Sequence, residues 1–379
     1  MAITRRKLLV QLAGATAVGI SFTPKVVKSR PNGQPQVVGH ATKYIRLDHN
    51  ENAYGASAQA VARLRESADE ANLYPTGEDV LIEALAKYHG VNSRRVVLGC
   101  GSSEVLRMAA TAFLQPRHQI ILSTPTFDLI RKYAEARGAH VVQVPLRKNY
   151  SHDMSGILAH ARRNAGGLIY VCNPNNPTGT LTERKEIEAF LTNLPSTYHV
   201  VIDEAYHHYA VGSGAYASFI ERPVDNPRVI VTRTFSIAYG LAGLRVGYAV
   251  TSEEVARQLK GDSLPFGINR LGVAAALAAL EDQQHVESCV AKNEDGRQEF
   301  FNQVNARMLR AVGFHANFVC LNVMRQAIDI IEHYRKNGCL LPPPIPGMPN
   351  YVRVSLGKPE EMHEFWRIWD ALGPHPMKM

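Results

Sequence analysis

Residues 232–248 read TRTFSIAYGLAGLRVGY, and the rest of the chain is organised around this stretch. It places two hydroxyl side chains, Thr234 and Ser236, close to Arg245, with a glycine-rich turn between them. A phosphate group binds best to several convergent donors and a bidentate cation, and hydroxyls, flexible backbone and a guanidinium supply both. The stretch therefore predicts a binding site for a phosphate-bearing ligand.

Short apolar runs alternate with amphipathic segments along the chain. Residues 168–171 are entirely apolar, which is typical of a strand buried in a parallel sheet. A second apolar run, 199–202, ends at Asp203. Open α/β sheets bind ligands at the edge formed by the carboxyl ends of their strands, so we expect Asp203 at that edge. Further strands are predicted at 96–99, 119–122 and 229–231.

Two turns beside predicted strands carry polar side chains. Gly101, Ser102 and Ser103 open a predicted helix, whose free amides and positive dipole end would form a second wall of a phosphate site. Serine is also a common N-cap residue, and that interpretation stays open. Residues 172–179 read CNPNNPTG, and the two prolines restrict the loop so that it presents the Asn176 amide in a fixed direction.

These motifs resemble those of the fold-type I pyridoxal-phosphate aminotransferases, in particular the histidinol-phosphate aminotransferase branch. The likeness rests on 232–248, on NPNNPTG at 173–179 and on DEAY at 203–206, and it covers the chain from about residue 44 to the C-terminus. It implies an α/β fold, a three-layer α/β/α sandwich with a mostly parallel sheet and a small α+β C-terminal domain. The implied organisation is an N-terminal arm at 31–75, a large cofactor-binding domain at 76–280 and the small domain at 281–379.

The resemblance also implies roles for individual residues. Asp203 would pair with the ring nitrogen of pyridoxal phosphate, and Asn176 and Tyr206 would bond the ring oxygen. The protein would be a homodimer in which Tyr74 reaches the cofactor phosphate of the other subunit; an interface or core tyrosine is the alternative. Arg353 would bind the substrate carboxylate, a task that suits a planar guanidinium. The other implied cofactor contacts are Ser102, Ser103, Phe127, Thr234, Ser236 and Arg245.

One position departs from the family within the stretch itself. A lysine of the family holds the cofactor covalently and moves protons during the reaction, and here Ile237 stands at that position. Isoleucine can do neither. General acid–base assistance alone contributes about 10²–10⁴ in rate, so ordinary transamination should be close to absent. The flanking residues Thr234, Ser236 and Arg245 still match, which favours retained ligand binding.

Three hypotheses follow from Ile237. The chain is an aminotransferase-like enzyme that binds pyridoxal or pyridoxamine phosphate noncovalently and uses Tyr74, Tyr239 or water for an altered or slow reaction. Alternatively, it is a pseudoenzyme that binds the cofactor or an amino-phosphate without turnover. In the third hypothesis it is an ordinary transaminase whose lysine is altered in this particular sequence.

The substrate end departs from the family as well. Family members have a further arginine just before a glycine-rich linker in the small domain, whereas residues 341–344 read LPPP. Arg353 predicts a carboxylate or phosphate on the ligand, which would be an amino acid or an amino-phosphate. The missing arginine argues against simply assigning histidinol phosphate.

The basic balance of the chain is concentrated at its N-terminus. The formal net charge is +8, and residues 1–30 hold six basic residues and no acid, so the remainder is +2 and gives no reason to expect a nucleic-acid partner. Arg5 and Arg6 precede an apolar run, and this segment, 1–30, resembles a twin-arginine (Tat) signal. It predicts the Tat machinery as a partner and a periplasmic or extracellular location. An N-terminal helix packed on the body is the alternative.

The remaining polar features are interpreted as structural. The cysteines lack C-x-x-C spacing, which predicts buried free thiols and no metal site. His207 and His208 are predicted to lie at a solvated helix start. The charged residues 294–310 are predicted to form a helix. The cysteines in question are Cys100, Cys172, Cys289, Cys320 and Cys339.

Overall fold

The computed structural model describes residues 44–372. In chain order its strands are β1 (Ile45–Arg46), β2 (Val96–Cys100), β3 (Gln119–Thr124), β4 (His140–Pro145), β5 (Gly167–Cys172), β6 (Tyr198–Asp203), β7 (Val229–Thr234), β8 (Val246–Val250), β9 (Arg310–Val312), β10 (Phe318–Asn322), β11 (Cys339–Leu340) and β12 (Tyr351–Ser355). A central sheet has the order β2-β8-β7-β6-β5-β3-β4. Strands β3 to β7 pair in parallel, and β8 pairs antiparallel with both β7 and β2.

Helices connect these strands. They are α1 (Ala58–Ser67), α2 (Glu78–His89), α3 (Ser102–Phe113), α4 (Leu129–Ala136), α5 (Met154–Ala161), α6 (Arg184–Asn193), α7 (Glu253–Gly261), α8 (Arg270–Glu281), α9 (Gln283–Ala306), α10 (Ala327–Lys336) and α11 (Pro359–Asp370). Within residues 44–372, no helix has the length and apolar character that crossing a membrane requires. The Tat-like segment predicted at 1–30 lies outside the described residues.

The central sheet is covered on both faces. Because successive side chains of a strand point to opposite faces, Ile121 and Ile169 join one core with α2, α5, α6 and α8. Ile120 and Leu168 join a second core with α3, α4 and α7. Burial on both faces explains why the central strands are apolar runs. The predicted three-layer sandwich with a mostly parallel sheet is confirmed.

A smaller unit follows the long helix α9. Its three-stranded antiparallel sheet has the order β12-β10-β9, and Val352 and Val354 of β12 pack with Tyr334 of α10 and Phe365 of α11. This confirms the small α+β C-terminal domain. Strand β1 pairs in parallel with β11, so the start of the described chain lies against this C-terminal part.

The helix predicted at 294–310 is wrong at its C-terminal end. Helix α9 ends at Ala306, and Arg310 begins β9. Met308 has φ 53, a left-handed conformation that ends a helix. The charged composition of this stretch does not distinguish the helix from the short strand that follows it.

Candidate active site

Several strands of the central sheet bring their ends to one edge. The parallel strands β5, β6 and β7 end there at Cys172, Asp203 and Thr234. Antiparallel β8 begins at the same edge, where Gly247 pairs with Thr234, and Cys100 at the end of β2 pairs with Val246. The turns that follow these strands therefore meet at the edge where such sheets bind ligands.

The loop between β7 and β8 forms one end of the site. Arg245 has φ 56, and its Nη1 donates to Ser236 Oγ at 3.2 Å. Thr234 Oγ1 accepts from the Ser236 amide at 3.0 Å, and the Arg245 carbonyl accepts from the Gly101 amide at 2.9 Å. A Cβ at position 101 would lie 2.2 Å from Arg245 Nη2, so the guanidinium can lie there only beside glycine. We call Gly101, Ser102, Thr234, Ser236 and Arg245 the cup.

Helix α3 adds backbone donors to the cup. The helix begins at Ser102, and the first amides of a helix have no intrahelical acceptor, which leaves those of Ser102 and Ser103 for a ligand. Its N-cap is Gly101, which has φ 70, so the interpretation of serine as the N-cap is wrong. A Cβ at Gly247 would lie 2.1 Å from the Ser102 nitrogen, which shows how closely β8 approaches the helix start.

Asp203 lies deeper, at the end of β6, and is 2% exposed. Its Oδ2 accepts from the Tyr170 hydroxyl at 2.8 Å, and its Oδ1 accepts from the Ala205 amide at 3.1 Å. Burial raises the pKa of the Asp203 carboxyl because desolvation disfavours its charged form. A cationic atom of a ligand would oppose that rise and keep the carboxylate charged.

The hydroxyl of Tyr206 is held between two amides. It accepts from Asn176 Nδ2 at 3.1 Å and from Asn50 Nδ2 at 2.9 Å. Two donors fill the lone pairs of this oxygen and leave its proton free for an acceptor on a ligand. Burial raises the pKa of Tyr206, so the hydroxyl keeps that proton at neutral pH.

Arg353 of β12 forms the other end of the site. Its Nη1 donates to Asn176 Oδ1 at 2.8 Å, and its Nη2 donates to the carbonyl of Asp48. The guanidinium lies 5.6 Å from the centre of the Phe318 ring, and its Nε has no hydrogen-bond partner among the described residues. Burial lowers the pKa of Arg353, though a guanidinium stays charged at neutral pH. The group is a half-buried cation positioned for an anion.

A cavity of about 470 Å³ opens beside Arg353 and Asn176. Phe127 lines it and also packs against the core beneath α3 and α4. Residues 342–346, which read PPPIP, form another wall. The exposed Lys132 also contributes to the lining. The cavity therefore extends the site from Arg353 toward solvent.

Comparison with known proteins decides the family. The sequence model for aminotransferase class I and II matches residues 42–367. The chain belongs to this aminotransferase family. Among its relatives, the histidinol-phosphate aminotransferase of Moorella thermoacetica is 35% identical over 325 residues, covering 85% of this chain and 84% of the relative. The same enzyme of Bacillus subtilis strain 168 is 34% identical over 328 residues, with coverage of 86% and 91%.

Solved structures agree with this aminotransferase assignment. The histidinol-phosphate aminotransferase of Sinorhizobium meliloti, in complex with pyridoxal-5'-phosphate, superimposes with a TM-score of 0.80 and 27% identity. The match covers 87% of this chain and 92% of that one. The comparison therefore extends over most of the chain.

Most residues that sequence reasoning selected in this aminotransferase lie together. One end holds the cup and Ser103, and the other holds Asn176, Tyr206 and Arg353, with Phe127 on the cavity wall. Ile237 directly follows Ser236, is half-buried and packs against the main core. Tyr74 is the exception: it is 75% exposed and packs its ring 4.6 Å from that of Phe266.

Sequence reasoning missed two residues that hold the aminotransferase site from the N-terminal side. Asn50 has φ 56, and its Nδ2 donates to the Tyr206 hydroxyl. Its backbone N–H donates to Ser355 Oγ and its Oδ1 accepts from the same hydroxyl, each at 2.9 Å. The Asp48 carbonyl accepts from Arg353. The run LDHNENAYG at 47–55 was the available signal, because it resembles a family motif, but by itself it reads as a polar turn.

The prediction that His207 and His208 lie at a solvated helix start is wrong. His207 is 5% exposed, and it bonds the Tyr216 hydroxyl at 3.0 Å and Glu221 at 3.3 Å. Burial lowers the pKa of His208, whose ring packs edge-on against Tyr239. A histidine pair next to polar residues looks solvated in the sequence, yet the turn after β6 carries it into the core.

The cysteines are free thiols in this aminotransferase. Cys172, Cys289, Cys320 and Cys339 are buried and Cys100 is partly exposed, so the expectation of free and mostly buried thiols is confirmed. Within residues 44–372, no cluster of three or more histidine, cysteine or acidic side chains is arranged to hold a metal ion.

Proposed function

We propose that the chain binds pyridoxal phosphate or pyridoxamine phosphate noncovalently and acts on an amino acid or amino-phosphate with altered or weak activity. The observation that carries this proposal is the union of the cup and the buried Asp203 at one sheet edge, directly beside Ile237. The donors expected for this cofactor are present in the described site. The residue that we align with the family's covalent lysine has no ionisable group.

The cup fits the phosphate of the cofactor. It offers a guanidinium, the Thr234 and Ser236 hydroxyls and the first amides of α3, which together supply a bidentate cation and several convergent donors. Gly101 and Gly247 leave no side chain in this space, where a Cβ would collide with Arg245 or the Ser102 amide. The cup would hold the phosphate through charge and hydrogen bonds, without a covalent bond.

The ring of the cofactor fits the groups between the cup and Arg353. Asp203 would hold the ring nitrogen protonated, Phe127 would stack on the ring, and the Tyr206 proton would be donated to the ring oxygen. When bound, pyridoxal phosphate withdraws electrons from the substrate carbon that carries the amino group. Asn176 would bond the same ring oxygen through the second N–H of its Nδ2, since the first already donates to Tyr206 at 3.1 Å.

Ile237 determines which chemistry remains. An isoleucine neither bonds the cofactor nor moves a proton, so proton transfer falls to Tyr74, Tyr239 or water. The buried Tyr239 hydroxyl accepts from Gln283 Nε2 at 3.4 Å, and burial raises the pKa of Tyr239, which makes it a poor base. Water or the Tyr74 of a second subunit is the better-placed substitute, and either predicts slow turnover.

Tyr74 leads us to propose a homodimer. Leu73, Tyr74, Leu264 and Phe266 are all exposed apolar side chains, and Tyr74 packs on Phe266. Exposed apolar side chains that lie together mark an association surface. Light scattering behind a sizing column should give twice the chain mass, and Phe266→Ser should lower it.

We also propose export through the segment 1–30, which cell fractionation of the chain and of an Arg5→Lys, Arg6→Lys variant would test.

The test of noncovalent binding is an absorbance spectrum of the purified chain with pyridoxal phosphate, before and after borohydride. We expect a bound cofactor that dialysis removes and no cofactor fixed to the protein by borohydride. A borohydride-fixed adduct on the unaltered chain would disprove noncovalent binding. Retention of cofactor without any exchange of amino groups would reduce the proposal to a binding protein.

Ile237→Lys is the matched variant. It returns an amine to the position beside Ser236, so borohydride should now fix the cofactor to the protein. Failure of this variant to retain cofactor at all, while it stays folded by circular dichroism, would mean that the cup is misassigned. Ordinary transaminase activity of the unaltered chain would show that residue 237 is not the catalytic position.

A further inference from the structure

Several polar side chains that line the cavity beside Arg353 are engaged within the protein. Thr126 Oγ1 donates to Asn175 Oδ1 at 2.6 Å, and Ser123 Oγ bonds His152 Nδ1 at 2.6 Å. One N–H of the Asn176 amide donates to Tyr206, and its Oδ1 accepts from Arg353. These side chains line the cavity, yet their polar atoms are used within the protein. A ligand group that needs hydrogen bonds would find little to bind in its inner part.

The wall formed by residues 342–346 is apolar and rigid. Four of its five residues are prolines, which have no backbone N–H to donate and a fixed φ. Ile345 fixes the wall from behind, because it is 6% exposed and packs with Met348 and Cys320. Such a wall favours an apolar group that slides along it, and its stiffness lowers the entropic cost of binding.

The charges around the cavity are unevenly available. The Arg131 guanidinium donates to Asp128 at 2.7 Å and to Glu135 at 2.6 Å, so its charge is compensated. Lys132 is exposed to solvent, where an ion pair contributes little. Arg353 is therefore the cation that a ligand meets in the buried part of the cavity.

We infer that this site selects an α-amino acid with an apolar or aromatic side chain, its carboxylate on Arg353 and its side chain along the wall 342–346. The inference rests on the proposed function and makes it narrower. It places amino-phosphates and dicarboxylic amino acids among the poorer ligands, because the wall offers them no cation and its four prolines offer no backbone donor. A cavity of about 470 Å³ accommodates a side chain of the size of phenylalanine.

Reduced conjugates of the cofactor test this selection without any need for turnover. Pyridoxyl phosphate would be joined by reductive amination to glycine, phenylalanine, glutamate and histidinol phosphate. Binding to the whole chain would be measured through the fluorescence anisotropy of the pyridoxyl ring. We expect the phenylalanine conjugate to bind at least about tenfold more tightly than the glycine conjugate. The glutamate and histidinol-phosphate conjugates should bind no more tightly than glycine.

Two variants test whether the wall 342–346 or Lys132 determines the side-chain preference. Pro344 is an exposed part of the wall, so Pro344→Arg should fold, should favour the glutamate conjugate and should weaken the preference for phenylalanine. Lys132→Gln should change every affinity by less than about twofold. If the glutamate or histidinol-phosphate conjugate binds best and Lys132→Gln removes that preference, the apolar selection is wrong.

The same binding measurements distinguish failure of cofactor binding from failure of the apolar selection. If neither pyridoxal phosphate nor the glycine conjugate binds, the proposed function fails and the selection fails with it. If both bind but phenylalanine brings no gain over glycine, only the selection is overturned.

Discussion

The cup draws its residues from 101–102 and 234–245, at the ends of neighbouring strands of one sheet. Arg353, at the other end of the site, is held by Asn176 from the loop after β5 and by the Asp48 carbonyl from the start of the described chain. Its neighbour Ser355 is tied to Asn50 across 305 positions of sequence. One end is therefore local to the central sheet, and the other joins three distant parts of the chain.

This difference would separate binding of the cofactor, at the cup, from selection of the substrate, at the Arg353 end. The cup and Asp203 rest on the central sheet and its buried supports, so the large domain would set the place of a phosphate and a ring. The Arg353 end depends instead on the smaller unit and on residues 48–50. The substitutions below test whether the two ends are independent.

The largest loss of stability is expected from Glu204, which directly follows Asp203 and belongs to a buried hydrogen-bond network. Glu204 is 1% exposed and accepts from Arg233 at 3.0 Å and from Ser218 at 2.7 Å. Glu204→Gln would leave the buried Arg233 with a weakened partner and should lower the free energy of unfolding by about 3–5 kcal/mol in denaturant titrations. The same change at Glu364, which forms a surface pair with Arg367 at 2.6 Å, should lower the free energy of unfolding far less, because solvent screens that pair. Equal effects would mean that the buried network does not support this end.

Arg245→Ala should produce the largest change in ligand binding. It removes the guanidinium from the cup. The loss of charge-assisted bonds should weaken the affinity for pyridoxal phosphate by about 100-fold, measured by equilibrium dialysis. Arg245→Lys keeps the charge without the planar fork and should recover part of that loss. If the affinity for pyridoxal phosphate is unchanged in Arg245→Ala, the cup is not the phosphate site.

Arg353→Gln should separate the two ends. We expect the affinity for the phenylalanine and glycine conjugates of pyridoxyl phosphate to weaken by about 30-fold, because both lose the bond to their carboxylate. Pyridoxal phosphate alone should change by less than about threefold. A parallel loss of pyridoxal phosphate would show that Arg353 also supports the cofactor end, through Asn176 and Tyr206.

The smallest effect is a pH dependence at the edge of the buried network. Hydrogen bonding to His207 and the nearby Arg233 charge lower the pKa of Glu221 to about 2. A depressed carboxyl pKa contributes stability above its ordinary value of 4.5 and loses that contribution as the pH falls toward 2. Glu221 is half-exposed, so the contribution should stay below about 1 kcal/mol. Glu221→Gln should therefore unfold like the unaltered chain near pH 2 and slightly more easily at pH 7.

The sequence was informative wherever contacts follow from a single strand and its turn. Apolar runs predicted the central strands, and Asp203 lies at the end of one of them as expected. The cup could be proposed because its residues are close in sequence or lie at a helix start. The fold class followed from the same alternation and from the family resemblance.

Other parts of the site could not be predicted because they depend on distant pairing. Asn50 becomes a donor to Tyr206 only after β12 brings Ser355 against it, and nothing within 47–55 encodes that contact. Tyr170 reads as an ordinary apolar strand residue until β5 pairs with β6 and sets its hydroxyl on Asp203. The burial of His207 was not predicted, because a polar side chain does not reveal in the sequence that it has a buried hydrogen-bond partner such as Tyr216.

The contact between Asn50 and Ser355 also has a consequence in time. A ribosome releases the chain from its N-terminus, so residues 101–245 are available to one another well before Arg353 and Ser355 are made. Residues 48–50 must wait through almost the whole of synthesis for the partners that order them. The residues of the cup are thus all present early in translation, whereas Arg353, the cation proposed to bind the substrate, is added near the end.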